Sequence, residues 1–152
     1  MALATEKWRA ENYDDALADV YAGLNLEPEK LRTRTSLIHR KATIYYDLGL
    51  VEEAIKFYKK VIAVDPEFSW PYNNLGLIYK AQDKVKEAEK AFDNAIRLDP
   101  DYASPYNGLG NIFVEQKKFE KAEKAYNKAI RLDSNEKIFK RNLDLLHKEM
   151  NE

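Results

Sequence analysis

AEKAFDNAIRLD, residues 88–99, returns almost unchanged as AEKAYNKAIRLD, residues 122–133, thirty-four positions later. The same interval separates Ala54, Ala88 and Ala122, and again Tyr58, Phe92 and Tyr126. Upstream of each copy lies a second recurring phrase, PYNNLGLIYK at 71–80 and PYNGLGNIFV at 105–114. Gly76 and Gly110 sit in the middle of these phrases, where glycine costs about 1 kcal/mol relative to alanine in a helix. Two such costs at a fixed spacing point to a packing rule that excludes a side chain. A period of this length is the mark of a stacked repeat architecture.

Each period reads as two short helices joined by a turn. The first spans about Phe68 to Ala81, with Tyr72, Leu75, Gly76 and Tyr79 at helical spacing. Pro71 and Pro105 fall in the opening turn, where a missing N–H does little harm. The second spans about Val85 to Leu98, with Ala88, Ala91, Phe92, Ala95 and Ile96 along one side. Pro66 and Pro100 follow the second helices, and Ser134 takes that place in the last period. Helices this short are marginal alone in water and persist by burying an apolar stripe against neighbours.

Composition narrows the function. Apolar residues make up 45% of the chain and charged ones 34%, at a net charge of −1, so neither disorder nor bulk attraction to nucleic acid or anionic membrane is indicated. The chain has no cysteine, which removes disulfides and thiolate metal sites. No apolar run approaches a membrane span, and MALATEKWRAENYDDA carries no secretory pattern, so a cytoplasmic location is expected.

Tyr72, Leu75, Gly76, Tyr79, Ala88, Phe92, Ala95 and Pro100 together resemble the signature of the tetratricopeptide repeat. Tyr106, Leu109, Gly110, Phe113, Ala122, Tyr126 and Ala129 repeat it. The resemblance implies an all-α fold, a right-handed superhelical array of antiparallel helix pairs closed by a C-terminal capping helix. It also implies that the small residue sits where the two helices of a repeat come closest. Ala4 and Ala42 hold that place in the earlier repeats, which favours a size constraint over a positive-φ constraint.

The expected divisions are a truncated first repeat at 1–27, a second at 28–66, a third at 67–100, a fourth at 101–134 and a capping helix at 135–152. From Ala16 to Ala54 the step is 38, so the second repeat should have a lengthened first helix, from Pro28 to about Leu48. Lys41 stands there in place of the usual leucine. Leu3 and Ala4 align with Leu75 and Gly76, so the array is expected to have been cut from a longer protein. In the final helix Phe139, Leu143, Leu146 and Met150 form one stripe, with Lys140, Asp144, His147 and Lys148 largely opposite.

The resemblance further implies that the first helix of each repeat lines a concave groove for a protein or peptide. The candidate binding residues are then Trp70, Asn73, Asn74, Leu77 and Lys80 in the third repeat, and Asn107, Asn111 and Val114, with Ser104, in the fourth. The long helix adds Arg32, Ser36, His39, Arg40 and Thr43. Asparagine amides both donate and accept, so Asn73, Asn74, Asn107 and Asn111 suit the backbone of an extended chain. Trp70 and Leu77 lie two turns apart and suit anchoring, an arrangement that Ile138 and Leu145 repeat. The basic run KLRTRTSLIHRK would favour an acidic segment near Arg32 and Arg40. Against the carboxylate clamp by which some family members hold acidic chaperone tails, the positions here read His39, Thr43, Asn74, Ser104 and Gly108, and Asn74 alone matches.

No catalytic role is expected. Both histidines, His39 and His147, fall on different helices far apart in the array, and no Gly-rich phosphate loop or metal-ligand spacing is present. No cofactor or metal, no nucleic acid and no membrane partner is therefore expected. A non-catalytic arm of a larger enzyme or assembly, or weak homo-oligomerisation through end or groove surfaces, are the competing expectations.

Overall fold

The protein is described here from a computed structural model covering residue 39 and residues 41–151. The described residues form seven helices and no strand. These are the stretch 41–47 (α1), Val51–Val64 (α2), Ser69–Ala81 (α3), Val85–Leu98 (α4), Ala103–Glu115 (α5), Phe119–Leu132 (α6) and Lys137–Met150 (α7). Two compact units divide the chain between Asp65 and Pro66. The first repeat and the opening of the lengthened helix lie outside the described residues.

The turns between paired helices share one device. Asp83 and Lys117 take left-handed backbone angles, φ 58° and 56°, and Gly49 does so at 75°. The three positions are thirty-four residues apart. In each turn the following amide closes back on the helix, Lys84 N on Tyr79 O at 2.9 Å and Lys118 N on Phe113 O at 2.8 Å. The inner bonds run from Asp83 N to Lys80 O at 3.0 Å and from Lys117 N to Val114 O at 2.8 Å. This is the Schellman closure, which satisfies carbonyls that the helix end leaves open. A glycine suits that site; aspartate and lysine occupy it in the later repeats at a steric cost. At the other end of each period, the Tyr72 hydroxyl donates to Pro66 O and the Tyr106 hydroxyl to Pro100 O, at 3.3 and 3.1 Å.

In the unit from Pro66 onward, α3 packs on α4, α5 on α6 and α7 on α6, with α5 also touching α3, α4 and α7. Phe92, fully buried on α4, organises the middle of this stack with Ala88, Leu109 and Ile112. A Cβ added to Gly76 would stand 2.6 Å from the Phe92 ring, and one added to Gly108 would stand 2.5 Å from it. One aromatic ring therefore presses on bare backbone from two helices. Gly110 faces Tyr126 in the same way, at 2.4 Å. The helical glycines are thus sites of close approach, and none has a left-handed φ.

Helix α7 inserts Phe139 beside Ala103 and Ala129, and Leu146 beside Ala122 and Tyr126, with Leu143 at the edge. The Glu136 carboxylate caps its start by accepting from Ile138 N at 3.2 Å. Met150 departs from the expected stripe: it is 45% exposed, because it lies in the helix's last turn beyond the packed residues.

In the unit ending at Asp65, Ala54, Tyr58 and Val61 are buried on α2. Lys41, in the place of the leucine, is only 3% exposed, and its ammonium lies 4.8 Å from the centre of the Phe57 ring. Its stem supplies the apolar contact and the ring faces supply a cation–π seat for the charge.

Candidate functional site

Among the expected binding residues, Arg32, Ser36 and Arg40 lie outside the described residues. His39 and Thr43 belong to the unit ending at Asp65. Thr43 Oγ1 donates to His39 O at 3.1 Å and also lies 3.1 Å from the Tyr58 hydroxyl. The His39 ring is 5.7 Å from the Tyr58 ring, and burial pushes its imidazole below the ordinary value.

The remaining candidates lie in the second unit. Trp70 is 49% exposed and Leu77 43%, although both stand on helix α3, whose other large apolar groups are mostly covered. Trp70 is flanked by Phe68 and Tyr102, with ring centres 5.8 and 6.3 Å away, so its orientation is held while much of its surface stays open. Lys80 forms an ion pair with Glu115 across α3 and α5. Asn73 is not open as expected. It is 3% exposed, its Nδ2 donates to Asn74 Oδ1 at 3.4 Å, and its own Oδ1 finds no hydrogen-bond partner among the described residues.

Asn107 and Asn111 are brought together by a residue the sequence reading did not single out, Asn142 of α7. Its Nδ2 donates to Asn107 Oδ1 at 2.8 Å and approaches Asn111 Oδ1 at 3.4 Å. The Tyr126 hydroxyl donates to the same Asn111 oxygen at 2.7 Å. With their carbonyl oxygens engaged internally, Asn107 and Asn111 have their Nδ2 donors left to offer a ligand.

A regularity links these contacts. Two second-helix tyrosines each face the first-helix residue fifteen positions earlier: Tyr58 meets Thr43 and Tyr126 meets Asn111. The corresponding pair in the middle repeat is Phe92 and Leu77, which has no hydroxyl and no polar group. A buried hydroxyl needs a partner, and the sequence supplies one wherever tyrosine replaces phenylalanine. Thr43 and Asn111 are therefore partners of core tyrosines as well as surface residues. That matching pattern was present in the sequence and could have been read there.

Lys80, Asn111 and Val114 converge with Asn142 and Leu145 on an open cavity of about 330 Å³, with Tyr126 and Leu146 behind it. Glu115 and Glu149 complete its rim. Burial, reinforced by the charges of Glu115 and Glu149, pushes the Tyr126 phenol up to about 12, so it stays a donor at any physiological pH. Val114 is half-buried against Ala122, Tyr126 and Leu146, whereas Leu145 and Ile138 are 54% and 42% exposed.

Two family models match the chain: a tetratricopeptide repeat model over residues 67–135 and a TPR repeat model over residues 42–83. Together they cover most of the chain, on the residues that form the paired helices. The chain belongs to the tetratricopeptide-repeat family.

Solved tetratricopeptide-repeat structures share its fold. The first TPR of Spaghetti (RPAP3), solved bound to the HSP90 peptide SRMEEVD, is 24% identical over 78% of this chain and 94% of that one, with a TM-score of 0.70. The Sgt2 TPR domain from Aspergillus fumigatus is 20% identical over 82% and 81% of the two chains, also at 0.70. MamA is 26% identical, with a TM-score of 0.66 over 77% of this chain and 64% of that one. No curated protein sequence matches the chain. Within this tetratricopeptide-repeat protein, no three His, Asp or Glu side chains among the described residues gather to hold a metal. No helix among them is long and apolar enough to cross a membrane.

Proposed function

We propose that the chain is a protein-binding scaffold that docks an extended peptide segment along the exposed face of α3, α5 and α7. The observation that carries this reading is the exposure of Trp70 and Leu77 on α3 and of Leu145 on α7. Helices in a repeat stack bury their apolar stripes, so large apolar groups left open on one of them suit a partner's side chains. Trp70 anchors, its ring already oriented by Phe68 and Tyr102. Asn74 and the Nδ2 donors of Asn107 and Asn111 hold the backbone of the bound segment. Asn73, being buried, takes no part.

The Spaghetti domain was solved with a peptide ending in acidic residues, which makes peptide docking a use this fold supports. The ligand here is of another kind, because Asn74 alone matches the carboxylate-clamp set. Selection of random displayed dodecapeptides against the full chain, followed by calorimetry, tests the reading. Trp70→Ala and Asn74→Ala should each weaken a selected peptide, Trp70→Ala by about 2 kcal/mol or more, as expected for an aromatic anchor. Selected peptides that bind both variants as tightly as the parent would refute the groove.

A further inference from the structure

We infer that the cavity at the C-terminal ends of α3, α5 and α7 is a subsite for the lysine or arginine side chain of a bound peptide. The inference rests on the groove reading above and adds the chemistry of the residue that enters.

Three helices end at this cavity. Lys80 is the penultimate residue of α3, Val114 and Glu115 close α5, and Leu145 and Glu149 lie in the last two turns of α7. Even with its last carbonyls bonded, a helix C-terminus carries the partial negative charge of its aligned peptide dipoles, which favours a cation and disfavours a carboxylate within the last turn. Glu115 and Glu149 are placed against that preference. Lys80 answers Glu115 through the ion pair, but Glu149 has no ion-pair partner among the described residues. Of the basic groups in the last turn of α7, His147 pairs with Glu123 and Lys148 does not line the cavity.

The rim thus holds one more negative charge than positive, on top of three helix ends of the same sign. Its field is felt at the Tyr126 phenol, which both carboxylates help to keep protonated. The walls suit the rest of a long basic side chain. Leu145 and Val114 offer apolar surface to the methylene stem, while the carboxylates take the charged head. An acidic side chain would meet repulsion from every charged feature except Lys80. Residues placed against local preference are what a binding site retains when function outweighs stability.

The test uses the full chain and the displayed dodecapeptide library. Selected peptides should carry lysine or arginine, and replacing that residue by glutamine should weaken binding. Glu149→Gln should weaken the same peptides by about fivefold or more. It should leave the thermal midpoint unchanged or raised, because it removes a carboxylate from a helix C-terminus. Glu149→Lys should turn the selection toward peptides with acidic residues. Peptides that depend on Trp70 and Asn74 yet ignore Glu149, or that carry no basic residue, would overturn this inference and leave the groove standing. Peptides indifferent to Trp70, Asn74 and Glu149 alike, or an empty selection, would overturn both.

Discussion

The matched pair Tyr126 and Asn111 gives the sharpest test of how the repeats are built. Tyr126 is 2% exposed, and its hydroxyl donates to Asn111 Oδ1 at 2.7 Å. Asn111→Leu removes that acceptor and leaves a buried hydroxyl unpaired, a loss of about 1–3 kcal/mol. Leucine's better helix propensity returns about 0.5 kcal/mol, so the single variant should be destabilised by about 1–2 kcal/mol. Tyr126→Phe alone should cost about 0.5–1.5 kcal/mol for the lost bond. The double variant recreates the Phe92 and Leu77 combination of the preceding repeat. It should stay within about 0.5 kcal/mol of the parent, giving a coupling close to the sum of the two single losses, about 1.5–3.5 kcal/mol. Urea unfolding followed by circular dichroism on all four proteins measures it, with equal slopes confirming a common reference. Asn111→Leu as stable as the parent, or losses that simply add, would show that the hydroxyl does not require this partner.

Three further outcomes are expected. Gly108→Ala should lower stability by about 1–2 kcal/mol, since overpacking against the fully buried Phe92 outweighs the gain of about 1 kcal/mol in helix propensity; Phe92→Leu should make the alanine tolerable in the same unfolding assay. Lys117→Gly should stabilise by up to about 1 kcal/mol, because φ at 56° strains a side chain and leaves glycine unstrained; a lowered thermal midpoint would contradict it. For pH, folding raises the Tyr126 phenol from 10.0 to about 12, so the folded state holds that proton more tightly. Its contribution is complete below pH 10 and is lost as pH rises through about 12, which a phenolate absorbance titration should show as a late-ionising tyrosine absent from Tyr126→Phe.

Much of the fold was legible because a repeated pattern states each local rule more than once. Ser69–Ala81 and Val85–Leu98 fall within a residue of the helices expected from apolar spacing and proline position. Gly76 and Gly110 were readable as packing sites from their interval alone, whereas Gly108, without a counterpart in the preceding repeat, was not. The left-handed turns at Asp83 and Lys117 were hidden because neither residue marks that conformation as plainly as the glycine at Gly49 does. Of the site, Trp70, Leu77 and Lys80 could be placed on one face from helical spacing. Asn73 escaped that logic, since a helix's own period says which way a side chain points and not what covers it.

The amino-acid sequence by itself determined the unit of construction: paired helices, their lengths, their interval and the small residues at their crossings. Each of these depends on neighbours within about one repeat, and the period writes them out again. Tertiary structure alone decided how the polar groups of the exposed face are used. Asn142 reaches Asn107 across thirty-five residues, and Lys80 reaches Glu115 across the same separation. Such contacts depend on how one repeat is stacked on the next to within an ångström, because hydrogen bonds and ion pairs fade over that distance.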